Sequence, residues 1–336
     1  MDFTFIISIA VSFMITMALM PHLMDRLRKA GITGVDVNKP DKPVIPEMGG
    51  LACLIVFSLT LLVVSLIKKA LSIDFDLMPI YSVLFVFAIA ALIGAFDDLR
   101  GISRGKKAIY LMLASIPLLI TQTGNPIIFT PFYNFDFTVI PWFYWFIVVP
   151  VGITGAANAL NMQGGYNGLE SGEVVIISFF LLIISYIAEP SGSAVLIFGA
   201  LFGTALALYA FNNYPAKVFV GNVGSFGMGA AIAAGVIVGD IEFFGAIFFL
   251  LAFYELVATI YYKIKGIERR AAYTNPIILK DGLLKPPEGS EKYTLFCLLL
   301  SKKPRTERQF KNLILSIYVL LGVVALSMSI ISGMSL

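Results

Sequence analysis

Long runs of apolar residues alternate with short polar segments along the whole chain. A transmembrane helix needs about 20 mostly apolar residues, and ten runs bounded by charges, turns or Pro/Gly clusters approach that length. They lie at about 3–24, 49–67, 79–96, 108–121, 142–157, 174–188, 194–211, 225–239, 243–262 and 311–331. The pattern predicts an all-α, polytopic bundle of about ten spans that forms a single membrane domain over residues 1–336.

The composition excludes a water-soluble domain. Hydrophobic residues make up 58% of the 336 residues and charged residues 13%, whereas soluble chains have roughly 45–50% and about 25%. An outer-membrane barrel is excluded as well, because its strands alternate polar and apolar residues and give no runs of this length. The first run is too long for a signal peptide and lacks a cleavage site, so we expect it to be retained as a span.

Basic residues are concentrated on one side of the predicted bundle. With ten spans, 22 of the 24 lysine and arginine residues fall in alternate loops, and only Lys68 and Lys69 fall in the others. Positive charge marks cytoplasmic loops, so both termini are predicted to be external. An aromatic stretch from Phe132 to Trp145 suits an external interfacial anchor. The predicted cytoplasmic loops cover about 25–48, 97–107, 158–173, 212–224 and 263–310.

Acids, amides and glycines collect in these same five loops. Asp97 and Asp98 directly follow an apolar run, where adjacent carboxylates are poorly solvated and attract a cation. Lys106 and Lys107 come nine and ten residues after Asp97, so a short turn can return an ammonium group to the carboxylates. This set suits a metal-assisted reaction of a phosphate. A solvated helix end is the alternative interpretation.

Two glycine-rich segments contain groups that can bind an anionic polar ligand. Residues 158–170 carry three asparagines and three glycines ahead of a span, where backbone N–H groups can face an anion. Residues 214–225 combine Lys217, Phe219 and the Gly-flanked Asn222, which together can clamp a nucleotide. Ordinary turn formation is the alternative for the first segment, and a packing role is the alternative for Phe219.

The first and last loops add further candidate ligand contacts. Prolines fix the loop at 36–50, which carries Glu47 against the membrane, although a rigid connector is the simpler alternative. The last loop is the longest of the five cytoplasmic loops, and its basic charge is already expected for a cytoplasmic loop beside the membrane. Arg269 and Arg270 stand out there, because arginine makes bidentate contacts to phosphate.

Together and in this order, the motifs resemble the polyprenyl-phosphate N-acetylhexosamine-1-phosphate transferase family. That family includes the bacterial phospho-MurNAc-pentapeptide transferase and the UDP-GlcNAc–dolichyl-phosphate GlcNAc-1-phosphate transferase. Residues 161–170, read as NMQGGYNGLE, are similar to the eukaryotic and archaeal N-x-x-x-G-x-N-G-L-E pattern, whereas bacterial members typically have two acids in this stretch. The strings around Glu47 and Phe219 also look like that branch, and the compact last loop favours an archaeal protein.

The resemblance implies a reaction, a cofactor and a location. The reaction is transfer of GlcNAc-1-phosphate from UDP-GlcNAc to dolichyl or another polyprenyl phosphate on the cytoplasmic face, with release of UMP. The implied cofactor is Mg²⁺, with Mn²⁺ as the alternative. The protein would be a multi-pass protein of the cell membrane in an archaeon, or of the endoplasmic reticulum in a eukaryote. It would contact membrane lipids and no nucleic acid, and a homodimer is one assembly that we consider.

The residues that match family positions take their roles from the resemblance. Asp97 would deprotonate or orient the acceptor phosphate with Asp98 beside it, and Lys107 would contact the diphosphate next to Lys106. The implied metal-site residues are Asn161, Asn222 and Asp97. The other implied substrate contacts are the nucleotide-proximal Glu47, the uracil contacts Asn167 and Phe219, and the sugar-phosphate contacts Arg269 and Arg270.

Two features depart from the family pattern, and rival functions remain open. Asn222 stands where the family usually has Asp, and a neutral amide there should bind Mg²⁺ more weakly. His22 is the single histidine, so the His-rich motif of bacterial members is absent. A secondary transporter or channel could use the acids to carry ions, but such acids normally lie near the bilayer midplane. The sequence is also compatible with a pure scaffold, or with a family member that uses a different UDP-hexosamine.

Overall fold

The computed structural model describes residues 4–71, 75–189, 192–266, 276–279, 281–286 and 293–333, which are mainly helical. The helices are α1 (Thr4–Lys29), α2 (Gly50–Leu71), α3 (Met78–Arg100), α4 (Arg104–Met112), α5 (Ile116–Thr121), α6 (Pro141–Phe143), α7 (Val149–Gln163), α8 (Leu169–Ala188), α9 (Ser193–Asn212), α10 (Gly221–Val238), α11 (Glu242–Phe248), α12 (Leu250–Ile264), α13 (Leu295–Lys302) and α14 (Glu307–Ser332). The strands are β1 (Thr33–Val35), β2 (Val44–Pro46), β3 (Ile127–Ile128), β4 (Phe135–Asp136), β5 (Ile277–Ile278), β6 (Leu283–Lys285) and β7 (Arg305–Thr306).

Eight helical segments of the described chain are long and apolar enough to cross a membrane. This number counts α6, the wider turn at Tyr144–Val148 and α7 as one continuous segment. Helices α11 and α12 make a ninth candidate when the 61° bend between them is placed within one span. These lengths confirm the predicted polytopic helical bundle, and the chain is an integral membrane protein.

The fourth predicted span, at 108–121, consists of shorter helical pieces that return alongside α3. The Lys107 ammonium reaches Asp97 near one end of α3, and the hydroxyls of Thr121 and Ser82 lie 2.8 Å apart near its other end. Thr121 follows Lys107 by 14 positions, and Asp97 follows Ser82 by 15 positions, so the two stretches have similar lengths. The segment therefore runs antiparallel to α3 over a similar length, but its helical pieces are too short to count among the candidate spans, so the number of ten spans stays a prediction.

Glycines allow α10 to approach two other helices backbone to backbone. A Cβ atom at Gly94 of α3 would collide with the backbone of Asn222, and a Cβ at Gly50 of α2 would collide with that of Gly224. Small residues permit such close contacts between membrane helices. Because Gly94 lies three residues before Asp97, this contact brings the acid at the end of α3 against the first turn of α10.

Short strands shape the loop between α1 and α2. β1 pairs antiparallel with β2, with Thr33 opposite Pro46. The Phe219 N–H donates to the Pro46 carbonyl at 2.8 Å, and the Gly49 N–H donates back to the Phe219 carbonyl at 2.8 Å. This loop is therefore held against the segment that precedes α10. We refer to the end of the bundle that carries these loops as the basic face.

The predicted aromatic anchor divides into lipid-facing and core residues. Phe132 and Trp142 are exposed on the helical bundle, as an interfacial anchor requires, but Trp145 is buried with 3% of its surface exposed. Trp145 packs edge-on against Tyr144. One of the two tryptophans is therefore part of the core.

Candidate active site

Asp97 lies at the end of α3 and is held by the turn that follows the helix. Gly101 adopts a left-handed φ of 70°, which lets the Ile102 N–H donate to Asp97 Oδ1 at 2.7 Å. The chain then enters α4, and Lys107 Nζ lies 2.5 Å from Asp97 Oδ2. The predicted return of an ammonium group is thus observed for Lys107.

Asp98 anchors the other side of this junction. Its Oδ1 accepts from the Asn222 N–H at 2.9 Å, and its Oδ2 accepts from the Val223 N–H at 3.0 Å. These are the free N–H groups of the first turn of α10, where a carboxylate also interacts favourably with the helix dipole. Both oxygens of Asp98 therefore serve to join α3 to α10.

The Asn222 side chain links Asp97 to Asn161 at the end of α7. Asn222 Nδ2 donates to Asp97 Oδ2 at 2.7 Å, and Asn161 Nδ2 donates to Asn222 Oδ1 at 2.5 Å and to Ser225 Oγ at 3.1 Å. Because an ionised carboxylate only accepts, Asp97 fixes the orientation of both amides. Within the described part of the chain, Asn161 Oδ1 accepts no hydrogen bond. We call Asp97, Asp98, Lys107, Asn161 and Asn222 the aspartate cluster.

The aspartate cluster offers a limited set of ligands for a hard cation. Mg²⁺ and Mn²⁺ prefer carboxylate, carbonyl and water oxygens, and Asp97 and the open oxygen of Asn161 are of this kind. Asn222 turns its NH₂ group toward Asp97. Over the described ranges, no group of three or more His, Cys, Asp or Glu residues could hold a metal ion. Asp97 and Asn161 are therefore suitable ligands for a divalent cation but too few to complete its coordination. Its other ligands would come from water or substrate phosphates.

Glu47 and Phe219 share a space beside the aspartate cluster. A Cβ atom at Gly34 would lie 3.1 Å from Phe219 Cδ2 and 3.2 Å from Glu47 Oε2, so both side chains border this glycine. Burial raises the pKa of the Glu47 carboxyl above its ordinary value. The fold therefore brings together an acid and an aromatic ring that the sequence places far apart.

Asn167 lies in a second polar network on the same face. Its Oδ1 accepts from Lys39 Nζ at 2.6 Å, and its backbone N–H donates to Glu307 Oε1 at 2.7 Å. Its Nδ2 donates to Asp36 Oδ2 at 3.1 Å. Lys39 also forms ion pairs with Asp36 and, at 3.1 Å, with Glu307. We call Asp36, Lys39, Asn167 and Glu307 the lysine hub.

Comparisons with known proteins agree with this arrangement. The pattern of glycosyl transferase family 4 matches residues 80–240, which include the whole aspartate cluster. A Saccharolobus solfataricus protein with the provisional name UDP-N-acetylglucosamine–dolichyl-phosphate N-acetylglucosaminephosphotransferase is 31% identical, over 78% of this chain and 80% of its own length. The phospho-N-acetylmuramoyl-pentapeptide-transferase of Streptococcus pneumoniae is 31% identical, over 67% of this chain and 70% of its own.

A further archaeal relative, from Sulfolobus acidocaldarius, carries the same provisional name as the Saccharolobus protein. It is 31% identical over 78% of this chain and 79% of its own length. The chain belongs to glycosyl transferase family 4. The predicted family resemblance is thereby confirmed, and the transporter and scaffold alternatives are set aside for this family 4 transferase.

The structure unites some of the predicted site residues of this transferase and separates others. Asp97, Asp98, Lys107, Asn161 and Asn222 meet in one cluster. Lys106 is exposed on α4, and its role as a substrate contact stays a prediction. Arg269 and Arg270, the predicted sugar-phosphate contacts, lie outside the described residues.

Three residues of the lysine hub were not singled out by their sequence pattern. Asp36 and Lys39 stand three residues apart in the proline-fixed loop, which was a weak signal of an ion pair. Glu307 follows Thr306, whose side chain caps α14 in a capping box with Gln309. That capping signal identifies the start of a helix, but it does not reveal that Glu307 faces Lys39.

Proposed function

We propose that this family 4 transferase moves N-acetylglucosamine-1-phosphate from UDP-GlcNAc to dolichyl or another polyprenyl phosphate, with release of UMP. The observation that carries this proposal is the Asp97–Lys107 pair at the end of a membrane span, joined through Asn222 to Asn161. A lipid phosphate reaches such a site laterally, whereas a nucleotide sugar arrives from water. The names of the two archaeal relatives support this donor and acceptor.

In the proposed reaction, an oxygen of the lipid phosphate attacks the phosphorus that bears the sugar. A new P–O bond forms there, the bond from that phosphorus to the bridging oxygen breaks, and UMP leaves with the bond electrons. Asp97 would accept the proton of the lipid phosphate, or orient its anionic form, because its carboxylate is at the cluster's centre. Lys107 would neutralise negative charge on the phosphates.

The remaining site residues would bind the donor. Phe219 would stack on the uracil ring, Asn167 would donate a hydrogen bond to it, and Glu47 would lie near the nucleotide. Asp97 and Asn161, with Asn222 beside them, would hold Mg²⁺ or Mn²⁺. When bound, such a cation neutralises charge on a diphosphate.

The basic face would be the cytoplasmic side of the membrane. The positive-inside rule supports this orientation, since 22 of the 24 lysine and arginine residues fall in the loops that the sequence pattern assigns to that side. The archaeal relatives support the cell membrane as the location. The homodimer stays a prediction.

A donor screen with purified protein tests the proposed function. The protein in lipid nanodiscs would be incubated with a short polyprenyl phosphate, Mg²⁺ or Mn²⁺, and each of several UDP-sugars, and UMP release would be measured. We expect release with UDP-GlcNAc and formation of the sugar diphosphate lipid. Release with another UDP-hexosamine alone would correct the sugar, and no UMP with any donor would refute the proposal.

A further inference from the structure

The Asn167 amide has one orientation that its neighbours permit. Lys39 Nζ and the Ala216 N–H, at 2.6 and 2.8 Å from Oδ1, can only donate. Asp36 Oδ2, at 3.1 Å from Nδ2, can only accept while it is ionised. Exchanging the amide oxygen and nitrogen would create three unfavourable contacts at once. Because Oδ1 already accepts two hydrogen bonds, Asn167 has one N–H left over and no free acceptor.

Lys39 is the residue that holds this arrangement together. Its three ammonium hydrogens are directed to Asp36, Asn167 and Glu307. The Lys39 side chain is 12% exposed, and the two carboxylates are each 3% exposed. Without Lys39, two buried carboxylates would be left without a cation, Asp36 at the Asn167 side-chain amide and Glu307 at its backbone N–H, which is strongly unfavourable.

A second buried lysine balances the charge but does not touch Asn167. Lys311 lies one turn after Glu307 on α14 and donates to Asn213 Oδ1 at 2.6 Å and to the Tyr209 hydroxyl at 3.1 Å. Lys311 is 3% exposed, and the Lys39 side chain is 12% exposed. Lys311 therefore offers a comparison for Lys39: both are largely buried lysines on the basic face, but only Lys39 contacts the amide.

The lysine hub also lies at the root of the loops that carry the proposed donor contacts. Ala216, which donates to Asn167, precedes Phe219 by three residues, and Lys39 precedes Glu47 by eight. Asn38 Nδ2 additionally donates to the Gly165 carbonyl at 2.6 Å, so three hydrogen bonds, from or to Asp36, Asn38 and Lys39, join the first loop to the Asn167 loop. The orientation of the amide is thus set together with the positions of Phe219 and Glu47.

We propose that Lys39 is a positioning residue that, with Asp36 and Glu307, presents Asn167 as a hydrogen-bond donor and thereby selects a pyrimidine base with a carbonyl group at its 4-position. Uracil has such a carbonyl at its 4-position, whereas cytosine has an amino group there, which would meet the Asn167 N–H as donor against donor. An amide free to rotate would offer its oxygen to cytosine equally well. This inference rests on the proposed function, in which Asn167 contacts the base.

Competition between UMP and CMP tests the role of Lys39. Binding of each nucleotide to the full-length protein would be measured by isothermal titration calorimetry for the wild type, Lys39→Met, Lys39→Arg and Lys311→Met. We expect Lys39→Met to lower the preference for UMP over CMP by about three- to tenfold, the worth of one hydrogen bond. Lys39→Arg should restore part of it, and Lys311→Met should reduce thermal stability while leaving the preference unchanged.

Catalytic measurements give a second readout. Lys39→Met should raise the KM for the UDP-sugar more than it lowers kcat, because the hub binds the donor and does not contact the reacting phosphates. If Lys39→Met does not fold, the isosteric variant Asn167→Asp replaces it, since a carboxylate cannot donate and should likewise lose the UMP preference.

Three outcomes would overturn the inference: an unchanged UMP preference in folded Lys39→Met, an unchanged preference in Asn167→Asp, or an equal loss in Lys311→Met. Each of these leaves the proposed function standing if the wild type still releases UMP from a UDP-sugar. A wild type that binds neither UMP nor a UDP-sugar would instead refute the proposed function together with the inference.

Discussion

The aspartate cluster and the lysine hub lie on the same face of the bundle, yet their charges are arranged differently. The aspartate cluster holds two carboxylates and one ammonium, and it has an amide oxygen on Asn161 without a donor in the described chain. In the lysine hub, the two carboxylates meet Lys39, and Lys311 adds a second buried ammonium nearby. The Asn167 oxygen there accepts two hydrogen bonds.

This difference is the one expected between a reactive site and its support. Buried charge is costly unless it is paired and hydrogen-bonded, so a saturated network such as the lysine hub can persist without a ligand. A cluster with an open amide oxygen is completed by a cation or by donors on a substrate. The following variants test the contrast, beginning with the largest expected effect.

Removing the charge of Asp97 should abolish turnover. Asp97→Asn keeps the shape of the side chain but cannot accept a proton, and general acid–base groups contribute roughly 10²–10⁴-fold to rates. UMP release should therefore fall at least about a hundredfold while the thermal unfolding temperature in detergent stays close to that of the wild type. Asp41→Asn, which neutralises an exposed acid on the same face, is the control and should retain activity. Full activity in Asp97→Asn would refute the proposed role.

Removing a charge from the lysine hub should affect stability first. Glu307→Gln replaces a charged acceptor of Lys39 with a neutral one, and because Asp36 still pairs with Lys39 the expected cost is about 1.5–3 kcal/mol, the range for a hydrogen bond to a charged group. Chemical unfolding in detergent should show a loss of this order. Asp25→Asn breaks the exposed pair with Lys29 and should cause no measurable change. Equal stability of Glu307→Gln and the wild type would mean that the hub is not a structural support.

Adding an acid to the aspartate cluster should strengthen cation binding. Asn222→Asp places a second carboxylate beside Asp97, where the amide now donates at 2.7 Å, and charge is a main determinant of divalent-ion affinity. We expect Mn²⁺ affinity, measured by electron paramagnetic resonance, to rise about tenfold, which corresponds to about 1.4 kcal/mol.

Two further results would qualify this expectation. Without a divalent ion, Asn222→Asp should unfold at a lower temperature than the wild type, because two carboxylates then repel each other. Asn158→Asp makes the same charge change where the side chain contacts the Thr154 carbonyl instead, and it should leave Mn²⁺ affinity unchanged. Unaltered Mn²⁺ affinity in Asn222→Asp would show that this position does not face the cation.

The sequence predicts the aspartate cluster better than the lysine hub for a physical reason. The return of Lys107 to Asp97 needs only one tight turn at Gly101, which is local and readable from spacing. The contacts of the hub join residues separated by 128 and 268 positions, and they depend on how whole spans pack. The broken helix at 108–121 and the burial of Trp145 are also consequences of packing, which an apolar run does not encode by itself.

Substitution of Glu47 should give the smallest effect, a change in how stability depends on pH. The direction of this dependence should be opposite to that of an acid on the other face of the bundle. Burial raises its pKa above 4.5 in the folded protein, so the folded state binds more protons than the unfolded state in that range. Stability should therefore fall as pH rises from about 4.5 through the raised pKa, and then level off. Thermal unfolding should show this fall in the wild type relative to Glu47→Gln.

Asp136, on β4 at the opposite face, supplies the comparison of opposite sign. Hydrogen bonds from Thr138 lower its pKa below 3.8. Ionised Asp136 therefore stabilises the folded protein at pH values above the pKa of the unfolded chain, and this stabilisation is lost as pH falls through the lowered pKa. In Asp136→Asn, stability should therefore fall less on acidification than in the wild type. A matching sign in the two variants would contradict the assignment of Glu47 to a partly desolvated site, because desolvation and hydrogen bonding shift a carboxyl pKa in opposite directions.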